Sequence, residues 1–232
     1  MDINRIIELD RAVFSFFNDG HTMFLDGVAF VFTSGLTWIP LYLALFYLVV
    51  KNNETMAQIG LVVGCAVLCI FFADGISEYI VKPWAERPRP SNDPIFKYTV
   101  NIVNNVRGMD FSFFSAHASN TMSIAVFFSL LVRSRLMTFF MIAWSLLNCW
   151  TRMYLGLHYP GDIMVGLIWG TTVGSLVYLL YYHLYLKIGA KLNYVSTQYT
   201  STGYALSDVD MVITVLMLTC CVAVMCGLTV IQ

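Results

Sequence analysis

One short segment of the chain carries two side chains that could perform nucleophilic catalysis. His158 and Asp162 stand four residues apart, with Pro160 and Gly161 between them. Because proline is favoured at the start of a helix, Asp162 would lie in the first turn, where its carboxylate could accept the proton of one ring nitrogen of His158. The other ring nitrogen then keeps its lone pair, which makes His158 a competent nucleophile.

Three cations indicate that this nucleophile acts on an anion, of which phosphate is the commonest. Arg152 precedes His158 by six residues, and Lys82 and Arg89 stand seven residues apart earlier in the chain. The planar guanidinium of each arginine can hold two phosphate oxygens, and the lysine adds a point charge. These residue types therefore predict a site for phosphoryl chemistry.

A second histidine lies at the start of an apolar run, beside a residue that suits a helix N-terminus. Ser115 and His117 would begin this helix, whose unpaired backbone N–H groups and positive dipole end favour an anion. A protonated His117 on the far side of the site could donate its proton to the leaving oxygen. The pair of histidines thus predicts a nucleophile and a general acid.

The competing interpretation is that the basic residues only contact lipid headgroups. We keep this interpretation for Arg87, Lys97 and Arg107. It explains the other three cations poorly, because two histidines and a carboxylate accompany them.

The composition indicates that membrane-spanning helices position these residues. Of 232 residues, 58% are hydrophobic and 12% are charged, and the mean hydropathy is +0.71. Soluble domains carry about 25% charged residues, so a soluble enzyme is excluded. A net charge of -1 without a basic run excludes a nucleic-acid partner. The six cysteines lie in apolar runs and show no metal-ligand or disulfide spacing.

We predict an all-α integral membrane protein with six transmembrane helices, forming a single domain over residues 1–232. A span needs about 20 apolar residues to cross about 30 Å of hydrocarbon. The first 20 residues space their apolar side chains along one helical face, which predicts an amphipathic helix lying on the membrane surface. The six apolar stretches cover residues 24–50, 56–81, 116–132, 136–152, 161–186 and 209–231.

The order of these spans places the candidate residues on one face of the membrane. Loop 82–115 and connection 152–160 alternate with short turns, one of which, 133–135, is purely basic. Short basic turns mark the cytoplasmic side. We therefore predict a multi-pass protein of a bacterial inner membrane, with its site facing the periplasm or exterior.

At these residues the chain resembles the type 2 phosphatidic acid phosphatase family, which is related to the vanadium haloperoxidases. The signature of that family has three parts, K-x6-R-P, P-S-G-H and S-R-x5-H-x3-D. The corresponding parts lie within residues 82–162 and include every residue proposed above. They are Lys82 to Arg89-Pro90, Phe114-Ser115-Ala116-His117, and Thr151-Arg152 to His158 and Asp162.

The resemblance implies a role for each matching residue. His158 would be the nucleophile that forms a phosphohistidine, Asp162 would orient it, and His117 would be the general acid. No metal and no cofactor are implied, because the cations supply the electrostatic stabilisation. The residues implied in phosphate binding are Lys82, Arg89, Ser115, Ala116 and Arg152.

Three positions depart from the family pattern, and none of them removes a proposed catalytic group. Phe114 replaces a proline and loses a rigid turn before the helix. Ala116 replaces a glycine, which adds a methyl group beside the phosphate but leaves the N–H available. Thr151 replaces a serine and keeps a hydroxyl. We therefore expect a change in local geometry and in the size of headgroup admitted.

We expect a metal-independent membrane hydrolase acting on a lipid phosphate or diphosphate, with undecaprenyl diphosphate as the favoured substrate. Phosphatidylglycerol phosphate, phosphatidate and lipid A are the alternative substrates, and a phosphotransferase with the same site is an alternative reaction. A haloperoxidase is disfavoured because that use of the site occurs in soluble proteins. The expected partners are the lipid substrate and the bilayer, with no obligate protein partner.

Two carboxylates within the second span leave a function of another class open. Asp74 and Glu78 lie one helical turn apart, near Lys82. Acidic residues in a span are costly and usually have a function. They could pair with a cation, support Lys82, or form the coupling pair of a non-enzymatic transporter.

Overall fold

The computed structural model describes residues 3–109, 111–188 and 197–230, and the predicted all-α fold is confirmed for these residues. Apart from an isolated bridge between Tyr199 and Ala205, their regular structure is helical. The α-helices are α1 (Ile3–Asn18), α2 (Met23–Phe32), α3 (Ile39–Lys51), α4 (Met56–Ile76), α5 (Lys82–Ala85), α6 (Ala116–Val132), α7 (Arg135–Tyr154), α8 (Pro160–Ile188) and α9 (Leu206–Val230).

Three helical stretches among the described residues are long and apolar enough to cross a membrane. They are Met56–Thr99, Pro160–Ile188 and Leu206–Thr229, and α2 together with the chain through α3 raises the number to four if that bent pair is one span. Helix α6 is apolar but shorter, with 17 residues. These helices establish the membrane class, whereas the count of six spans stays a prediction.

The first predicted span, residues 24–50, is broken, so the expectation of one continuous helix there is wrong. Helix α2 ends at Phe32, and the chain that continues from Gly35 is bent by 67°. Two side chains then bind carbonyls near the end of α2: the Thr37 hydroxyl donates to Val31 and the Trp38 indole donates to Phe32. Because these bonds replace missing helical ones, the break is tolerated within an apolar segment.

Helix α1 packs against the loops that surround the candidate site. Phe14 is buried, with its ring 5.6 Å from that of Phe96 and 5.7 Å from that of Tyr159. Asn18 ends the helix and donates to the carbonyl of Tyr154 over 2.7 Å. The opposite face exposes apolar side chains, including 80% of Phe16. The location of α1 on the membrane surface stays a prediction.

Helices α6 and α8 approach closely enough for backbone to touch backbone. A Cβ atom added at Gly166 or Gly174 would come within 2.7 Å or 2.6 Å of a carbonyl oxygen of α6 or its N-cap, and one at Gly170 would also overlap. Small residues at this spacing allow close packing in membranes. The contact aligns the start of α6 with the start of α8. The facing residues are Ser115, Ser119 and Ser123.

Candidate active site

Asp162 lies in the first turn of α8, where the sequence predicted it, and its carboxylate is fully buried. The backbone N–H of Tyr159 donates to it over 3.0 Å, and the Ser112 hydroxyl donates to the same oxygen. The other oxygen accepts a hydrogen bond of 2.7 Å from Arg87. A buried carboxylate with three donors stays ionised and fixed in place.

His158 lies in the connection between α7 and α8 and is only 2% exposed. Its Nδ1 stands 3.7 Å from Asp162, and its Nε2 lies 3.2 Å from a guanidinium nitrogen of Arg89. Because arginine only donates, Nε2 carries the lone pair and the ring proton sits on Nδ1, facing Asp162. The sequence predicted this pairing of Nδ1 with Asp162, but at 3.7 Å the hydrogen bond itself is not formed in this structure, and the role of His158 as nucleophile stays a prediction.

The charge state of His158 follows from its surroundings. Burial lowers the pKa of the ring to about 4, Arg89 and Arg152 lower it as well, and Asp162 opposes them. A group with a depressed pKa stays neutral above that value. His158 therefore keeps its lone pair at neutral pH.

The backbone between α7 and α8 turns sharply to deliver His158. Gly156 adopts a φ of +72°, a conformation that side chains rarely accept. The N–H groups of Leu157 and His158 then both donate to the carbonyl of Arg152, over 3.0 Å and 3.3 Å. His158 and the arginine six residues before it are thus held together locally.

Arg89 is buried, and two backbone carbonyl oxygens fix the position of its guanidinium. Its Nε donates to Met109 over 2.9 Å, and Nη1 donates to Leu157 over 3.2 Å. Gly108 lies against its side chain so closely that an added Cβ would overlap the Cδ and Nε atoms of Arg89. Sequence reasoning missed Gly108, because a glycine in a loop gives no sign of what it contacts.

Lys82 follows a π-helical turn, Ser77–Val81, which continues α4. Such turns are frequent at functional sites because they shift the phase of the side chains that follow. Lys82 is buried and paired with Glu78. Asp74 instead accepts a hydrogen bond of 3.0 Å from Asn120. Of the interpretations left open for the two carboxylates, the contacts favour pairing of Glu78 with a cation and support of Lys82.

Arg152 lies in the last turn of α7, and its side chain is bound by a residue at the break in the first predicted span. Its Nη1 donates to the hydroxyl of Thr33 over 2.6 Å. Its Nε is buried and has no hydrogen-bond partner among the described residues. Thr33 was missed by sequence reasoning, since hydropathy does not reveal where an apolar segment breaks.

The N-terminus of α6 forms the remaining side of the candidate site. Ser115 is the N-cap residue and accepts from the N–H of Ala118. By helix geometry, the N–H groups of Ala116 and His117 lack intrahelical partners and are available to an anion. His117 is exposed, so the site opens on its side.

His117 and the cations share one electrostatic environment. The cations that act on His117 are Arg152, Lys82 and Arg89. The structure thus brings together the three predicted segments. A cluster of cations, a neutral histidine and free N–H groups can bind a phosphate and attack it.

Arg87 differs from the expectation of a headgroup contact. Its guanidinium bridges Asp162 and Asp10 of α1 and lies 4.2 Å from the centre of the Tyr159 ring. The sequence signal was available: residues that precede prolines are extended, so Arg87 and Arg89 project to the same side of their segment.

Known proteins resemble this chain over most of its length. The PAP2 superfamily model matches residues 61–186. The chain is 37% identical over 188 residues to a lipid A 4′-phosphatase of Bacteroides thetaiotaomicron, covering 80% of this chain and 83% of that protein. A lipid A 4′-phosphatase of Porphyromonas gingivalis is 32% identical over 177 residues, or 76% of this chain and 74% of that protein.

Two solved structures share the fold. The crystal structure of Aquifex aeolicus LpxE has a TM-score of 0.56 at 21% identity and covers 72% of this chain and 92% of its own. The PAP2-type phosphatidylglycerolphosphate phosphatase from Bacillus subtilis has a TM-score of 0.57 at 20% identity, with coverages of 82% and 90%. The relatives are bacterial and the helices are of membrane length, which indicates a bacterial membrane protein.

Proposed function

Because this chain belongs to the PAP2 superfamily and is a membrane enzyme that hydrolyses a phosphomonoester of a lipid, we propose that it removes the 4′-phosphate of lipid A. The observation that carries this proposal is the 37% identity to a lipid A 4′-phosphatase over a region that includes every candidate site residue. The favoured substrate of the sequence analysis was undecaprenyl diphosphate, and the relatives support the lipid A alternative instead. Because the chain belongs to a phosphatase family, we no longer keep the hypothesis of a non-enzymatic transporter.

The proposed reaction begins with attack by Nε2 of His158 on phosphorus. Arg89 must first exchange its contact with Nε2 for a phosphate oxygen, which exposes the lone pair. As the N–P bond forms, the P–O bond to the lipid breaks, and His117, whose protonated form is stabilised by the bound phosphate dianion, gives its proton to the departing oxygen. Asp162 stabilises the positive charge that develops on the His158 ring.

A second step releases the phosphate and restores the enzyme. Neutral His117 takes a proton from water, whose oxygen attacks phosphorus while the P–N bond breaks. The negative charge on the transferring group is held by Lys82, Arg89 and Arg152 and by the N–H groups at the start of α6. No step requires a metal ion, since these groups supply the positive charge.

An apolar cleft between α3, α4 and α6 supports a lipid substrate. It has a cavity volume of about 150 Å³ and is lined by residues such as Tyr42, Ala66 and Ile124. Ile124 lies seven residues after His117 on α6, or about 10 Å along the helix axis. An acyl chain attached to a headgroup at the site is long enough to reach this cleft.

The proposed location is the inner membrane, with the site on the periplasmic face. The short basic turn at 133–135 supports this orientation, because it lies at the opposite ends of α6 and α7 from the site. A substrate in the outer leaflet of that membrane would then meet His117, the exposed residue of the site.

The test is phosphate release by the purified full chain with EDTA present. The substrates are lipid A, undecaprenyl diphosphate, phosphatidylglycerol phosphate and phosphatidate, and mass spectrometry of the lipid A product locates the lost phosphate. We expect fastest release from the 4′ position, together with an acid-labile phosphoenzyme that is absent in His158→Ala. Release by His158→Ala at the wild-type rate contradicts the nucleophile, and faster release from another lipid contradicts the substrate.

The same assay separates hydrolysis from phosphotransfer. A hydrolase releases phosphate at a rate that does not depend on a second lipid. Dependence of turnover on an added lipid acceptor, with the phosphate found on that acceptor, would instead establish the phosphotransferase alternative.

A further inference from the structure

Arg87 connects the buried carboxylate of the site to the N-terminal helix. Its two terminal nitrogens bind different acids, Nη1 with Asp162 over 2.7 Å and Nη2 with Asp10 over 2.5 Å. Its side chain is 28% exposed, whereas that of Asp162 is fully buried. The guanidinium therefore lies between α1 and the interior of the site.

Asp10 holds two groups of the site at once. While one oxygen binds Arg87, the other accepts the backbone N–H of Gly161 over 2.7 Å. Gly161 immediately precedes Asp162 at the N-terminus of α8, where an acidic side chain is favoured by the helix dipole. A single carboxylate of α1 thus binds both the backbone just before Asp162 and Arg87, the counterion of Asp162.

The residue after Asp10 makes a parallel contact. Arg11 binds Asp93 over 3.1 Å, and Asp93 accepts a hydrogen bond of 3.3 Å from the hydroxyl of Tyr159. Tyr159 directly follows His158 in the chain. Helix α1 therefore contacts the short segment between His158 and Asp162 at two points, through Asp93 at Tyr159 and directly at Gly161.

The distance between the Asp162 carboxylate and His158 depends on the other groups that bind Asp162, because no hydrogen bond joins the two residues directly. The 3.7 Å between Nδ1 and the carboxylate is longer than a hydrogen bond, and Nδ1 has no hydrogen-bond partner among the described residues. A shift of the carboxylate toward Nδ1 by less than 1 Å would form this bond, and an equal shift away would put it out of reach. Displacements of this size change catalytic rates by up to about a hundredfold.

We propose that Asp10 and Arg87 are positioning residues for the nucleophile, through which α1 holds Asp162 in line with His158. The inference rests on the proposed function, since it assigns the two residues to that same site. Neither residue touches the substrate, so their loss lowers kcat and leaves KM nearly unchanged.

The experiment compares variants of the full chain in detergent, with active enzyme counted by the amplitude of the phosphoenzyme burst. Asp10→Asn keeps an oxygen for Gly161 but loses the ion pair with Arg87. The matched control is Glu8→Gln, an exposed acid on the same helix. We expect kcat per active site to fall about tenfold in Asp10→Asn, with KM within about twofold of wild type, and Glu8→Gln to match wild type.

Variants of the arginine show whether the two residues act as one unit. Arg87→Gln removes the counterion of a buried carboxylate, so its kcat falls further, and Arg87→Lys restores part of the loss because it keeps the charge. The double variant Asp10→Asn/Arg87→Gln is expected to be no slower than Arg87→Gln alone. Contacts that act in series give such non-additive losses.

The outcomes separate the inference from the proposed function. A lower melting temperature or smaller burst in Asp10→Asn, with unchanged kcat per active site, makes Asp10 structural and overturns the inference. Additive losses in the double variant overturn it as well. A wild-type enzyme that forms no phosphoenzyme with any lipid of the panel instead overturns the proposed function, and the inference with it.

Discussion

The two ends of the helical bundle treat their polar residues differently. At the end away from the site, Lys51 pairs with Asp208 over 3.2 Å, and Asn52 both donates to Asp208 and accepts from the N–H of Ala205. Arg133 donates to the hydroxyl of Tyr178 over 3.0 Å. Each of these polar groups has a partner, and together they close that end of the bundle.

At the site end, cations are clustered and buried polar atoms remain unsatisfied. Arg152 and His158 each bury a nitrogen that has no hydrogen-bond partner among the described residues. An unsatisfied buried group costs about 1–3 kcal/mol, so stability alone does not account for this arrangement. From this difference we infer that the first end stabilises the fold, whereas the second is preorganised for the anion of the proposed substrate.

The largest difference in kcat/KM is expected between two variants that replace one arginine at each end of the bundle. Arg152→Lys keeps the charge but loses the planar fork and the bond to Thr33, so kcat/KM should fall about a hundredfold. Arg133→Lys makes the same change at the other end and should leave kcat/KM unchanged. Phosphate release at several lipid concentrations measures both. Equal losses in the two variants would contradict the division of the bundle into a structural and a catalytic end.

A smaller contrast is expected from adding one methyl group. Gly108→Ala would push a Cβ into Arg89, and the loop cannot retreat freely because Asn92 donates to the Gly108 carbonyl over 2.9 Å. We expect kcat/KM to fall about tenfold through displacement of the guanidinium. Gly60→Ala is the matched control, since an added Cβ there has no atom within 4 Å. Full activity in Gly108→Ala would show that Arg89 tolerates displacement.

The smallest effect on activity is expected at the end that closes the fold. Asn52→Ala removes hydrogen bonds to Asp208 and to the N–H of Ala205, which should lower the free energy of unfolding by about 1–3 kcal/mol. The melting temperature in detergent and kcat at a temperature well below it measure the two effects. A loss of kcat without a loss of stability would reverse the assignment of this end.

The sequence predicted those parts of the site that depend on local structure. Pro160 fixes the start of α8, which places Asp162 in its first turn, and Ser115 caps α6 before His117. These features depend on the dihedral angles and hydrogen bonds of a few neighbouring residues. The composition likewise predicted membrane helices, since burial in lipid requires apolar side chains throughout a span. The catalytic roles of these residues stay predictions.

The parts that could not be predicted depend on distant segments meeting. Thr33 binds Arg152 across 119 positions of sequence, and Arg87 binds Asp10 across 77. Hydropathy could not locate the bend after α2, because the chain is apolar on both sides of it. A helix produces a periodic spacing of apolar residues in the sequence, whereas a contact between two distant residues produces no such pattern.

The glycines of α8 have a consequence for how the enzyme responds to its membrane. Bilayers differ in thickness, and helices adjust to them by tilting. At Gly166, Gly170 and Gly174 the backbone of α8 lies directly against carbonyl oxygens of α6 and its N-cap, so we expect the two helices to tilt together. We therefore expect the spacing between the histidine at the start of α6 and the carboxylate at the start of α8 to change little with the lipid composition of the bilayer.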